Sequence, residues 1–255
     1  MSAFFSAASL VVLMVAQASS LCLSMQSKYM GAKPVFVAGG SRGVGLEVVK
    51  LLSAAGTPVH ALVRRMDAVA ELSKYNGVKC FLGDAFDEAA VQASMNGCVA
   101  AITTLGGKPE ADGKRVDYFG NSNVVEQAGI LGCERIILVT SVGCGDTKGA
   151  VSESVYKVLE EAILAKNKAE RDLRTYTNLD WTIIRPGGLK SEPSTGKAIF
   201  TEDRMASGVI NREDVARLII DALKSDGRAT RRELTAIDPS QASAHNGGSA
   251  TPFPV

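Results

Sequence analysis

The stretch VFVAGGSRGVGLEVVKLL, Val35 to Leu52, places four glycines within residues 39–45, between an apolar run and a helical pattern. Gly39, Gly43 and Gly45 form G-x-x-x-G-x-G, with Ser41, Arg42 and Val44 between them. The first glycine permits a tight turn. The later ones let backbone N–H groups and the positive end of a helix approach an anion closely, a pyrophosphate above all. About 20 residues beyond such a loop an acidic side chain commonly holds a ribose 2′-hydroxyl; here Arg64 and Arg65 stand in that region. Two guanidiniums suit a 2′-phosphate, and Arg42 adds a third fork-shaped cation for the same anion. These residues predict capture of a phosphorylated dinucleotide, NADP(H) rather than NAD(H).

A second candidate is Lys166. Leu159, Ala162, Ile163, Ala169 and Leu173 lie at −7, −4, −3, +3 and +7 from it, so helical spacing sets it on an apolar stripe facing a sheet. A lysine there needs a partner for its charge, and a cofactor ribose hydroxyl or a backbone carbonyl would serve. Ser141 closes the apolar run at 135–141.

The elements that must position these residues follow from patterning. Apolar runs at 34–39, 58–63, 78–83, 99–105, 135–141 and 181–186 lack polar alternation, as strands buried on both faces do. Between them, Val44, Val48, Leu51 and Leu52 keep helical spacing, and 113–129 and 153–176 are long enough for helices. Repeated βαβ units predict one α/β domain, a doubly wound parallel sheet with helices on both faces, over residues 34–238. The last stretch, 239–255, has too few core-forming residues for its length and is expected to be disordered.

The chain has 255 residues and a formal net charge of +1. That balance supplies no basic field for nucleic acid. The first acidic residue is Glu47, and residues 7–16 form an apolar run followed by Ala16-Gln17-Ala18, the form of a signal-peptidase site. A Ser-containing, acid-free segment follows. The expectation is a targeting presequence over 1–33, signal-like in 1–18 and transit-like in 19–33, leading to a plastid; secretion or a cytosolic location is the alternative. The apolar run is shorter than the roughly 20 residues that span a bilayer, so no integral span is expected once the presequence is removed. Cys22, Cys80, Cys98, Cys133 and Cys144 show neither C-x-x-C nor metal spacing, which fits a reducing compartment and no metal.

Residues 34–237 resemble the short-chain dehydrogenase/reductase superfamily, in its atypical NAD(P)-binding branch common in plastids and cyanobacteria. The matching pieces are VFVAGGSRGVG, GDAFD (83–87), VDYFGNSNVVEQAGILGCERIILVTSVG (116–143), AKNKAE (165–170), LDWTIIRPGGL (179–189) and INREDVARLIIDAL (210–223). The resemblance implies that Asp84 and Ala85 border the adenine end, that Thr104, Leu105 and Gly106 run along the cofactor, that Pro186 and Gly187 border the nicotinamide, and that Ser141, in the family's active-site serine region, binds a substrate oxygen. It also implies a departure. Typical members carry a proton-donating Tyr four residues before the Lys whose place Lys166 takes, and here that position is Ala162; Tyr156 lies ten residues before Lys166. Three functions follow from the resemblance: an NADPH-dependent reductase of a small organic acceptor of quinone, flavin or carbonyl type, a non-catalytic NADPH-binding module that senses redox state or docks a plastid protein partner, and an assembly factor of plastid complexes.

Overall fold

The computed structural model describes residues 29–176, 178–225, 227–241 and 250–255. In chain order the elements are β1 (Val35–Ala38), α1 (Gly43–Ala54), β2 (Val59–Val63), α2 (Met66–Leu72), β3 (Val78–Leu82), α3 (Glu88–Met95), β4 (Ala100–Thr103), α4 (Phe119–Ile130) and β5 (Arg135–Val139). A 3₁₀ turn (Gly145–Ala150) leads to α5 (Glu153–Thr175), β6 (Asp180–Pro186), β7 (Gly188–Lys190), β8 (Ile199–Thr201), β9 (Val209–Asn211), α6 (Arg212–Lys224) and β10 (Arg232–Ile237). Eight strands form one sheet in the order β3-β2-β1-β4-β5-β6-β10-β8, and β7 and β9 form a separate pair. Every neighbour in the large sheet is parallel except β8, which runs antiparallel to β10. The six expected apolar runs are its first six strands.

Strand β1 shows why those runs lack alternation. Val35 and Val37 pack into the layer that contains Val48 and Leu52 of α1 and Val215, Ile219 and Leu223 of α6. Phe36 and Ala38 pack into the opposite layer, with Val91 and Met95 of α3, Val124 of α4 and Leu173 of α5. Alternate residues face opposite sides of a sheet, and both sides are covered, so all four are apolar.

Four details differ from the sequence reading. The expected helix at 113–129 begins at Phe119, because Asp112, Gly113 and Lys114 form a turn in which Asp112 accepts from the Lys114 N–H at 3.0 Å. Strand β10 lies outside the expected runs, since only four of its six residues are buried and it opens on Arg232 and Glu233. Residues 1–28 lie outside the described part, yet Tyr29 and Met30, assigned above to the presequence, are buried in the core, and the Tyr29 hydroxyl donates to Asp180 Oδ2 at 3.1 Å. In the expected disordered tail, residues 239–241 form a 3₁₀ turn, 242–249 lie outside the described part, and the Phe253 N–H donates to the Phe200 carbonyl at 2.7 Å while Phe253 and Val255 pack against the core.

Candidate functional site

A cleft of about 1170 Å³ runs along the C-terminal ends of β1, β2, β4 and β5. Successive strands leave β1 in opposite directions, β2 to one side and β4 to the other, and such a reversal is where open α/β sheets bind ligands. The structure brings to this one cleft Gly39, Ser41, Arg42, Gly43, Val44, Arg64, Arg65, Asp84, Ala85, Thr104, Leu105, Gly106, Ser141, Lys166 and Pro186. Of the expected residues, Gly45 and Gly187 are not in its wall.

Local geometry accounts for the glycines. Gly39 and Gly43 have φ of 84° and 59°, in the left-handed region that disfavours a side chain. Gly45 has another constraint: a methyl on it would sit 2.3 Å from the Gly39 carbonyl oxygen and 2.5 Å from Thr104 Oγ1, so the first turn of α1 presses on β1 and β4. Thr104 secures that junction by donating to the Ala38 carbonyl at 3.2 Å. The Leu46 N–H closes on the Arg42 carbonyl at 3.3 Å, so the amides ahead of it have no carbonyl one turn back. Those amides and the α1 dipole form an anion cradle at the cleft. Gly187 is glycine for packing: a methyl there would lie 2.4 Å from the Gly208 carbonyl oxygen.

At the β2 end the cations are already paired. Arg64 Nη1 lies 3.2 Å from Glu110 and 3.6 Å from Asp84, and Arg65 pairs with Asp67. The Arg65 contact holds the Asp67 carboxyl below its ordinary range. Asp84 is half-buried and the other groups are solvent-exposed, so such pairs exchange readily for a stronger anion.

The far end is built around a group that sequence reasoning missed. Lys166 Nζ donates to the Leu105 carbonyl at 3.2 Å, the kind of partner expected, but it also pairs with Asp117 Oδ1 at 3.2 Å. Asp117 is 2% exposed, and its second oxygen takes the Gly107 N–H and Arg115 Nη2, each at 3.3 Å. Arg115 in turn donates to the Gly107 carbonyl at 2.7 Å. The unit fixes the Leu105–Gly107 segment and leaves the lysine ammonium one further N–H at the cleft wall. The stripe around Lys166 is shorter than its spacing suggested: Ile163, Ala169 and Leu173 are buried, but Leu159 is exposed.

Ser141 donates to the Val142 carbonyl at 2.9 Å and borders the cleft. No tyrosine lines the cleft among the described residues; Tyr156 packs with Cys144 and Ile163, with Lys148 over its ring at 4.3 Å. Thiol chemistry is equally remote. Burial pushes Cys98 and Cys144 up to about 12 and Cys133 to about 11, which leaves them protonated. Among the described residues there is no cluster of metal-ligating side chains, and no helix is long and apolar enough to cross a membrane.

Arg212, at the start of α6, also enters the cleft wall and was not foreseen. Its signal was available: a cation in the first turn opposes the helix dipole, so its place there calls for another reason. Asp117 gave no comparable signal, because its contact with Lys166 joins residues 49 positions apart.

The family model described as NAD(P)H-binding matches residues 39–226. The chain belongs to this NAD(P)H-binding Rossmann-fold family. A chloroplastic relative from Arabidopsis thaliana, itself described as uncharacterized, is 31% identical over 202 residues, covering 75% of this chain and 72% of that protein. The chloroplastic protein TIC 62 of Pisum sativum is 26% identical over 214 residues; these are 72% of this chain but only 39% of that protein. Among solved structures, ChuY, an anaerobilin reductase from Escherichia coli O157:H7, superposes with a TM-score of 0.74 at 33% identity, covering 83% of this chain and all of that one. The NAD(P)H-binding chain thus has relatives in both chloroplasts and bacteria.

Proposed function

We propose that this chain is an NADP(H)-dependent reductase of a small organic acceptor of quinone, flavin or carbonyl type, acting in the plastid with residues 1–28 as part of its targeting sequence. The observation that carries the proposal is the joining, in one cleft, of a glycine anion cradle, two arginines at the end of β2 and a neutralised lysine at the opposite end. The likeness to an anaerobilin reductase supports reduction, and the chloroplastic relatives support the location.

The donor set fits the cofactor. The glycine cradle holds its diphosphate, Asp84 and Ala85 border its adenine, and Arg42 adds a guanidinium for the 2′-phosphate. Arg64 and Arg65 exchange their carboxylate partners for the 2′-phosphate, which accepts from a guanidinium with two parallel hydrogen bonds. When bound, NADPH supplies a hydride. Lys166, held by Asp117 and the Leu105 carbonyl, presents its remaining N–H to ribose or to charge developing on the acceptor. Ser141 turns from the Val142 carbonyl to orient an acceptor oxygen. With no tyrosine in the cleft wall among the described residues, the proton comes from water.

Calorimetric titration with NADPH and NADH tests the cofactor reading, repeated on a variant carrying Arg64→Ala and Arg65→Ala. NADPH is expected to bind at least tenfold more tightly than NADH, the difference collapsing in the variant; equal affinities would remove the preference. NADPH consumption with a panel of flavins and quinones tests turnover. The second reading, a non-catalytic NADPH-binding module that docks a plastid protein, is favoured by the alanine at position 162, where typical members carry the proton-donating tyrosine. Tight NADPH binding without turnover of any acceptor would select it.

A further inference from the structure

The cations of the cleft differ in what neutralises them. Arg64 and Arg65 are paired with Glu110, Asp84 and Asp67, and Lys166 is paired with Asp117. Among the described residues, Arg42 and Arg212 have no ion pair. Both stand beside Gly43. Arg42 precedes it, and Arg212 lies across from it: a methyl on Gly43 would be 3.6 Å from Arg212 Nε and 3.7 Å from its Cδ. The unneutralised positive charge of the cleft is therefore concentrated at the glycine loop.

Arg212 is also aimed. Its Nη1 donates to Ser191 Oγ at 2.7 Å and to the Leu189 carbonyl at 3.5 Å, both neutral acceptors on the β7 side. The neighbouring Glu213 does not serve it, because that carboxylate accepts from Arg217 at 2.6 Å and from the Ser194 N–H at 3.2 Å. Nor does its own helix favour it, since Arg212 occupies the first position of α6, where a cation is repelled by the dipole. An arginine with no carboxylate partner and an unfavourable helix position, its guanidinium held by neutral acceptors beside a glycine, has the requirements of an anion ligand.

Resting on the cofactor reading above, we infer that Arg212 is a diphosphate-binding residue, closing on the cofactor diphosphate from the side opposite the α1 amides. The β7–α6 segment thereby becomes part of the cofactor site, and Ser191 is the residue that positions the guanidinium.

The test uses the full chain and three probes: NADPH, ADP-ribose, which has the diphosphate but no 2′-phosphate, and adenosine 2′-monophosphate, which has the reverse. Arg212→Ala is expected to weaken NADPH and ADP-ribose about tenfold or more and to leave adenosine 2′-monophosphate within about twofold, as loss of one charge-assisted contact should. Arg212→Lys should recover part of the loss, and Ser191→Ala should show the same pattern more weakly. The Arg64→Ala, Arg65→Ala variant should give the opposite pattern, weakening adenosine 2′-monophosphate and sparing ADP-ribose. Unchanged ADP-ribose affinity in Arg212→Ala would overturn the inference while leaving the cofactor reading intact, and equal weakening of all three probes would reduce the residue to a structural role. A chain that binds none of the probes would end both readings. A normal Arg212→Ala pattern combined with no effect of the β2 arginines would end only the NADP(H) preference.

Discussion

Gly45 and Asp117 mark two ways in which single residues set this cleft. At Gly45 the determinant is exclusion, since a methyl would sit 2.3 Å from the Gly39 carbonyl oxygen and 2.5 Å from Thr104 Oγ1, and relieving the first contact requires the backbone to move. Gly45→Ala should therefore cost about 1–3 kcal/mol through overpacking, seen as a lower unfolding midpoint in denaturant together with weaker NADPH binding; wild-type stability would show that the loop relaxes freely. At Asp117 the determinant is compensation. It neutralises Lys166 and, together with the exposed Glu161 at 3.5 Å, Arg115, so truncation leaves the lysine, only 13% exposed, without a carboxylate partner. Asp117→Ala should cost about 3 kcal/mol, in the range for breaking a buried pair. In a Lys166→Ala background the cost should shrink by about 1 kcal/mol or more, because part of it is the lysine's. Additive losses in this double-mutant cycle would mean that the two groups do not act together.

Between elements, a buried charge network ties α5, β6, β10 and the 3₁₀ turn together. Arg185 of β6 is fully buried and grips Glu170 of α5 with two bonds, Nε to Oε1 at 3.0 Å and Nη2 to Oε2 at 2.6 Å. It also pairs with Asp146 in the 3₁₀ turn at 2.8 Å and with Glu233 of β10 at 2.7 Å. Glu170 lies one turn beyond Lys166, Arg185 precedes Pro186, and Asp146 follows Ser141 by five residues, so this network sets the spacing of the elements around the Lys166 end. Burial alone would raise the Glu233 carboxyl, but the hydrogen bond from Arg174 and the charges of Arg185 and Arg174 outweigh it and hold it below its ordinary 4.5. A depressed carboxyl contributes stability above its unfolded value, and that contribution is lost as pH falls through the folded one. Glu233→Gln should therefore flatten the fall in melting temperature below about pH 4.5; a profile parallel to wild type would assign the acid sensitivity elsewhere. Little of this network was legible in the sequence. The six apolar strands, the glycine loop and the arginines at the end of β2 could be read because each signal is local, a run or a short spacing. The partners of Lys166 and Arg185, the β10 strand with its charged opening and the role of Arg212 depend on contacts between residues tens to more than a hundred positions apart, which no period encodes.

For the molecule as a whole, the ends of the folded body have functional consequences. Tyr29 and Met30 are buried against the core, and Tyr29 reaches Asp180 at the start of β6. Burying a methionine side chain alone is worth about 1.5–3 kcal/mol. A chain beginning at residue 34 should thus melt several degrees lower than one beginning at residue 28, given about 2–4 °C per kcal/mol for a domain of this size. The same contact bears on the targeting expectation. If the N-terminal segment is removed on import, the cut must fall before Tyr29, upstream of the boundary at residue 33 that composition suggested, because processing at 33 would discard core. N-terminal sequencing of the mature protein from plastids decides this. A first residue at or before Tyr29 is expected, and a mature chain starting at residue 34 with undiminished stability would show that these two side chains are dispensable to the fold.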